Sequence, residues 1–240
     1  MNRLPVGRHG ATLERIVEWS PTTRSFFLRL AAGTRLHFSP GQFVSLALPL
    51  EEGERVRPYS LASSPESADL LEICVDLVPG GAGSRYLFGL RPGAPVSLTG
   101  PFGSFMVDEP PAAEMVFVGE ATGIAPIRAM VRRILERGGG QPVRVLQGAR
   151  VAGELLYREE FEAWAHAHPR LEWEPVLAGA GRAAGENPRL EALVAERYVD
   201  ADADRGRHFW ICGVGDMVRR LRELLRGAGY ERRAVRYEQW

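Results

Sequence analysis

Near Asp108-Glu109-Pro110-Pro111 the chain changes its hydrophobic rhythm, and this change limits the possible folds more than any single motif does. Before it, the apolar or alternating runs are Thr12–Trp19, Ser25–Ala31, Gln42–Leu48, Leu70–Leu77 and Val96–Leu98. Ser20-Pro21, Ser39-Pro40-Gly41, Pro49 and Arg91-Pro92-Gly93 bound them. Short strands punctuated by turn residues predict an antiparallel barrel or sandwich. One short helix is expected over Gly83–Leu90, with Tyr86, Leu87 and Leu90 on one side. After the change, Met115–Val118, Val143–Gln147, Leu171–Leu177, Phe209–Cys212 and Ala234–Tyr237 read as strands. They alternate with helices over Ile124–Arg137, Arg158–His166, Arg189–Arg197 and Asp216–Leu225. That alternation predicts a parallel sheet covered on both faces. The expectation is an all-β domain over residues 1–109 and an α/β domain over 110–240, joined by the proline-bearing stretch.

Composition narrows the function class. Thirty acidic residues balance thirty basic ones, so nothing draws the chain toward nucleic acid or an anionic membrane. Every basic residue is arginine, so any anion site must use guanidinium groups, which grip phosphate through two parallel bonds. Cys74 and Cys212 lie far apart and no C-x-x-C pair exists, which excludes a zinc ribbon, a thioredoxin motif and an iron–sulfur cluster. His166 and His168 lack helical metal-ligand spacing and read as surface residues, so no metal site is expected. With no signal peptide and no bilayer-length apolar run, the expected location is cytoplasmic.

Four short motifs follow in order. In Arg57-Pro58-Tyr59-Ser60, the proline holds its predecessor extended, and alternation puts Arg57 and Tyr59 on one face. A guanidinium beside a phenol ring suits a ligand carrying both phosphate and a flat ring, with Ser60 on the other face; an ordinary edge strand has the same residues. Gly80-Gly81-Ala82-Gly83-Ser84 leads into the short helix, with Ser84 as its cap, and reads as an anion turn or a plain glycine turn. Gly119-Glu120-Ala121-Thr122-Gly123-Ile124-Ala125-Pro126 joins a strand to a helix, the context of a phosphate loop. Cys212-Gly213-Val214-Gly215-Asp216-Met217 is a second such joint; its thiol is either inert core or a soft surface for a nicotinamide ring.

Together and in this order, the motifs resemble the ferredoxin–NADP reductase family, from about Gly7 to Trp240. The resemblance implies an all-β flavin-binding barrel followed by an α/β parallel-sheet nicotinamide dinucleotide-binding domain. It places the flavin motif on Arg57, Pro58, Tyr59 and Ser60, and an FAD-contacting strand on Cys74, Val75, Asp76 and Leu77. The pyrophosphate turn falls on Ala82, Gly83 and Ser84, and the nicotinamide loop on Thr122, Gly123 and Pro126. The family's cysteine–glycine pair falls on Cys212 and Gly213, with Asp216 counted in the same coenzyme-binding set. Two departures stand out. Glu120 and Ala121 occupy positions where the family commonly has glycines, which puts the pyrophosphate contact of that turn in doubt. The chain also has no four-cysteine ferredoxin-like segment, so a separate electron acceptor is expected.

By the same resemblance Trp240 stacks on the flavin opposite Tyr59, and Glu238, two positions before it, relays a proton. Arg150 matches a coenzyme-contacting arginine of the stand-alone reductases, and Arg182 and Arg189 complete a pocket for a 2′-phosphate. The expected cofactors are FAD and NADPH, with NADH open. Ser60, Cys212 and Glu238 are the expected catalytic residues. The expected partner is a ferredoxin, a flavodoxin or an oxygenase component. The rival readings are the reductase of a multicomponent oxygenase and a flavin electron-transfer subunit without nicotinamide activity.

Overall fold

The computed structural model describes residues 6–50, 53–107, 113–138, 140–183, 185–201 and 203–239. The chain divides into two compact units, Met1–Asp108 with Arg128–Arg133 and Glu109–Ile127 with Ile134–Trp240. The stretch read as a linker, Asp108–Pro111, lies outside the described residues.

In the first unit, β1 (Gly7–Ser20), β2 (Thr23–Leu30), β3 (Phe43–Leu50), β4 (Gly53–Ser60), β5 (Leu70–Asp76) and β6 (Pro95–Phe102) form one sheet. Their order is β4-β3-β6-β1-β2-β5, with every pairing antiparallel. The sheet curls into a barrel because its two ends are tied together. Leu61 bridges Ile73, and the Ala62 amide donates to the Glu72 carbonyl at 2.9 Å. Alternation sends Phe26, Leu28 and Leu30 of β2 and Val44, Leu46 and Leu48 of β3 into one core. The helix α1 (Ala82–Gly89) seals it through buried Leu87, with Tyr86 and Leu90 packed alongside, so these three residues do share a side. The cap differs from expectation. Gly81 is the N-cap, and the Ser84 hydroxyl instead accepts from the Val78 amide at 3.0 Å and donates to the Gly81 carbonyl at 3.2 Å. Ser84 therefore shapes the turn and leaves the first-turn amides uncapped by any side chain.

In the second unit, β7 (Met115–Glu120), β8 (Val143–Ala149), β9 (Leu171–Leu177), β10 (His208–Gly213) and β11 (Val235–Gln239) form a parallel sheet ordered β11-β10-β7-β8-β9. The connecting helices are α2 (Ile124–Glu136), α3 (Arg158–Ala167), α4 (Pro188–Ala195) and α5 (Gly215–Gly227). Val116, Val118, Phe209 and Ile211 pack with Leu190 and Val194 of α4 and Val218 and Leu221 of α5. Gly119 lies against Ile127 of α2, a Cβ there meeting the Ile127 Cδ1 at 2.9 Å. All six residues of β7 are buried, and the last of them is Glu120. Burial of Val116, Phe117 and Val118 contributes about 1.5–3 kcal/mol each, enough to carry an acid under cover with them.

Candidate active site

The first unit exposes its edge strand. Six of the eight β4 residues, including Arg57 and Pro58, face solvent, while Tyr59 and Ser60 are half-buried. Proline is tolerated here because β4 has a ladder on one side only, toward β3. Arg57 donates to the Val56 carbonyl at 2.9 Å and has no carboxylate partner among the described residues. Burial pushes the Tyr59 phenol up to about 12 against the pull of the Arg57 charge, so it stays a neutral ring and donor. The glycine turn lies directly over this pair. A Cβ on Gly83 would lie 3.1 Å from Leu48 Cδ1, 3.3 Å from Arg57 Cγ and 3.7 Å from Tyr59 Oη. Residues 57, 59 and 83, read as two separate motifs, thus form one surface. It presents a guanidinium with no carboxylate partner among the described residues, an aromatic face and helix-start amides, which fits a ligand with a pyrophosphate and a flat ring. On the opposite edge of the sheet, Cys74 and Val75 are buried, Asp76 accepts from Thr23 Oγ1 at 2.7 Å, and the Leu77 amide donates to Thr22.

In the second unit the strand order reverses between β7 and β10, and a parallel sheet opens a ligand crevice beyond the carboxyl ends of strands at such a point. Both expected loops lie there. Thr122 and Gly123 follow β7 in a short 3-10 turn, and Gly213 ends β10. The loops meet backbone to backbone at Gly123. A Cβ on Gly123 would sit 2.2 Å from the Cys212 carbonyl oxygen and 2.9 Å from the Gly213 nitrogen. Asp216 is exposed in the first turn of α5, 3.4 Å from Arg219.

Cys212 is fully buried, and burial, helped by the Glu238 charge, pushes its thiol well above the ordinary cysteine range. A neutral thiol does not attack, so it offers only a soft packing surface. Glu238 faces it in the ladder between β10 and β11. Trp240 lies outside the described residues. Of the three expected 2′-phosphate arginines, Arg150 follows β8 and donates to Glu154, its Nε 3.0 Å from Oε2. Such an exposed pair is worth at most about 1 kcal/mol, so a phosphate dianion can displace it. Arg189 donates to the Leu177 carbonyl at 3.1 Å, and Arg182 is exposed without a carboxylate partner among the described residues. These residues fit a nicotinamide dinucleotide.

Two residues that departed from the glycine pattern behave differently from each other. Ala121 is in the left-handed region at φ 50°, where a side chain costs about 1–2 kcal/mol. Glycine adds back about 0.4–1 kcal/mol through the freedom of the unfolded chain. Ala121→Gly is therefore expected to stabilise the protein by roughly 0.5 kcal/mol, seen as a higher urea midpoint; a lower midpoint would show that the methyl packs usefully. Glu120 is only 2% exposed and points into the protein, not out of the loop. Its Cγ lies 3.2 Å from where a Gly148 Cβ would be, and its Cβ 3.5 Å from that of Gly213. One carboxylate oxygen, Oε2, has no hydrogen-bond partner among the described residues, and the Gly185 amide donates to the carboxylate. Burial raises Glu120 to about 7. Its position at the end of an all-apolar strand was the one sequence sign of this.

Residues 10–107 match the model of the oxidoreductase FAD-binding domain, and residues 117–223 that of the oxidoreductase NAD-binding domain. With the surfaces just described, this defines the class: an oxidoreductase that binds FAD and a nicotinamide nucleotide. The chain is 37% identical over 235 residues to Ferredoxin--NADP reductase B of Sorangium cellulosum, covering 96% of each protein. It is 30% identical to the reductase component DmpP of phenol 2-monooxygenase from Pseudomonas, covering 95% of this chain and 64% of that one. Among solved structures, a ferredoxin NADP+ reductase from Neisseria gonorrhoeae with bound FAD and NADP shares the fold at a TM-score of 0.80, with 21% identity and 99% of both chains covered. The chain belongs to the ferredoxin–NADP reductase family.

Proposed function

We propose that the protein oxidises NADPH through FAD and delivers electrons to a separate ferredoxin or flavodoxin. The observation that carries this reading is the end-to-end likeness to the Sorangium reductase, whose length this chain matches almost fully. When bound, FAD supplies the conversion between hydride acceptance and single-electron release. The chain's residues bind and orient. Arg57 and the amides of Ala82 and Gly83 hold the pyrophosphate, Tyr59 packs on the ring, and Ser60 hydrogen-bonds near the ring nitrogen that accepts hydride. Cys74, Val75, Asp76 and Leu77 offer backbone contacts, and Ser84 keeps the turn in shape. Thr122, Gly123, Gly213 and Asp216 line the coenzyme crevice, Cys212 positions the nicotinamide, and Glu238 holds a proton nearby. Trp240 keeps its expected stacking role. NADPH is favoured over NADH because Arg150 directly follows β8, Arg182 and Arg189 follow β9 in the chain, and the sequence at the tip of β8, Gly148-Ala149-Arg150, contains no acid. We read the domain division at residues 109/110.

The likeness to the Pseudomonas reductase component favours a second reading, in which the acceptor is an oxygenase component. No helix among the described residues is long and apolar enough to cross a membrane. Our reading places the protein in the cytoplasm, a reducing compartment in which the two buried cysteines, Cys74 and Cys212, stay unbridged thiols.

The test is anaerobic addition of NADPH, and separately NADH, to the yellow holoprotein, followed by an oxidised ferredoxin, flavodoxin or oxygenase component. Bleaching by NADPH and return of colour with the small redox proteins is the expected result. A protein that stays yellow with both nucleotides would reduce the chain to a flavin-binding subunit.

A further inference from the structure

We propose that Glu120 is a positioning residue: through the Gly185 amide it fixes the loop between β9 and α4 to the carboxyl end of β7. That loop leads from Arg182 to Arg189, so the inference rests on the reading of these arginines as coenzyme ligands.

Three elements grip Gly185. Its amide donates to the Glu120 carboxylate at the end of β7. Its carbonyl accepts from Arg220 Nη2 of α5 at 2.8 Å. Its α-carbon lies against Val214, where a Cβ would meet Val214 Cγ1 at 2.8 Å, and its φ of 80° admits glycine with least strain. Arg220 is itself fixed by Glu191 of α4, with Nε 2.9 Å from both carboxylate oxygens and Nη2 2.8 Å from Oε1. The far end of the loop is tied separately. Asn187 caps α4 by accepting from the Leu190 amide at 3.1 Å and donates to the Val176 carbonyl at 2.8 Å.

Glu120 has a second attachment that makes the link informative. It immediately precedes Ala121–Gly123, the turn that opens the crevice. One residue thus joins the loop proposed to receive the nicotinamide end of the coenzyme to the loop proposed to receive its 2′-phosphate. A glycine at position 120 has no side chain to reach Gly185. The carboxyl is buried and uses one oxygen on Gly185, while Oε2 has no partner among the described residues. An acid placed merely to cap a strand would have its second oxygen in water.

The experiment uses FAD-loaded full-length protein and three variants, Glu120→Ala, Glu120→Gln and Arg220→Met. Amide hydrogen exchange over residues 178–187 reads the clamp directly, whatever the coenzyme chemistry. Glu120→Ala and Arg220→Met are expected to accelerate exchange there at least tenfold. Glu120→Gln, whose amide oxygen still accepts from Gly185, stays within about threefold of the parent. In steady-state assays Glu120→Ala and Arg220→Met raise KM for NADPH about tenfold, with KM for NADH and kcat within twofold. Unchanged exchange in Glu120→Ala overturns the clamp. Faster exchange with an unchanged NADPH-to-NADH preference overturns the link to the arginines. Should Glu120→Ala fail to fold, Arg220→Met reads the same clamp from its other side. A parent protein that oxidises neither nucleotide defeats the functional reading, while the exchange result stands by itself.

Discussion

Gly123→Ala is expected to destabilise the protein by about 3 kcal/mol and to abolish reduction of its flavin by NADPH, with FAD content unchanged. The added Cβ would stand 2.2 Å from the Cys212 carbonyl oxygen and 2.6 Å from its carbon. Both are backbone atoms of a strand paired on each side, to Gly119 of β7 and Glu238 of β11, so neither can retreat without breaking a ladder. The loss of NADPH reactivity follows because the displaced segment carries Cys212 and Gly213. FAD retention follows because Arg57, Tyr59 and Gly83 all belong to the other compact unit. Urea titration gives the first quantity, anaerobic absorbance the second, and heat-released flavin the third. Gly227→Ala is the control, since a Cβ there meets nothing within 4 Å and its φ is not in the left-handed region. A Gly123→Ala protein within 1 kcal/mol of the parent would mean that the two loops do not meet as described.

Most elements of the parallel sheet were legible because their strands are buried on both faces and so read as unbroken apolar runs, as in Val116–Val118. The strand β4 was visible only from Arg57 onward. Its first four residues, Gly53-Glu54-Arg55-Val56, face solvent at a sheet edge, where no burial imposes an apolar pattern. Two further residues of β7 were missed for a related reason: glycine and glutamate at 119 and 120 argue locally for a turn, and burial on the sheet overrides them. After α4 the helix continues as a π-helical turn over Glu196–Asp200, a hydrogen-bond register that side-chain periodicity does not encode. The site divides along the same line. The order of motifs told which ligands to expect, because glycine loops at strand–helix joints have local signatures. The contact of Gly83 with Arg57 and Tyr59 is a product of barrel closure and has none. Pairing of Arg150 with Glu154 is an i,i+4 relation that spacing alone permits but does not require. The burial of Glu120 contradicts the average behaviour of its residue type, and the apolar run just before it, Met115–Val118, is the one local sign of it.

That burial sets the second large effect. Between pH 4.5 and about 7, the stability of Glu120→Gln relative to the parent is expected to rise by about 3 kcal/mol, then to level off. The carboxyl ionises near 4.5 in the unfolded chain and near 7 in the native one, where desolvation dominates and the neighbouring Glu191 charge adds to it. The Gly185 amide and Arg220 pull the other way without overcoming it. The charged groups facing Glu120 are thus Glu191 on α4 and Arg220 on α5; on β10 its neighbour Cys212 is a neutral thiol, and on β8 the adjoining Gln147 and Gly148 do not titrate. The native state holds a proton that the unfolded state has released throughout this window. The contribution of Glu120 to stability is therefore fully present below about 4.5 and is lost as the pH rises through about 7. Glutamine cannot titrate, so its variant lacks this slope. The amide nitrogen inherits the position of the unpartnered Oε2, which adds a penalty of about 1–3 kcal/mol that does not vary with pH. The slope of the difference, not its absolute value, is the diagnostic. Urea unfolding of both proteins at half-unit steps from pH 4 to 9 measures it. Parallel curves would mean that Glu120 is ionised throughout, with Arg220 as its effective counter-charge and the buried acid serving as half of an ion pair.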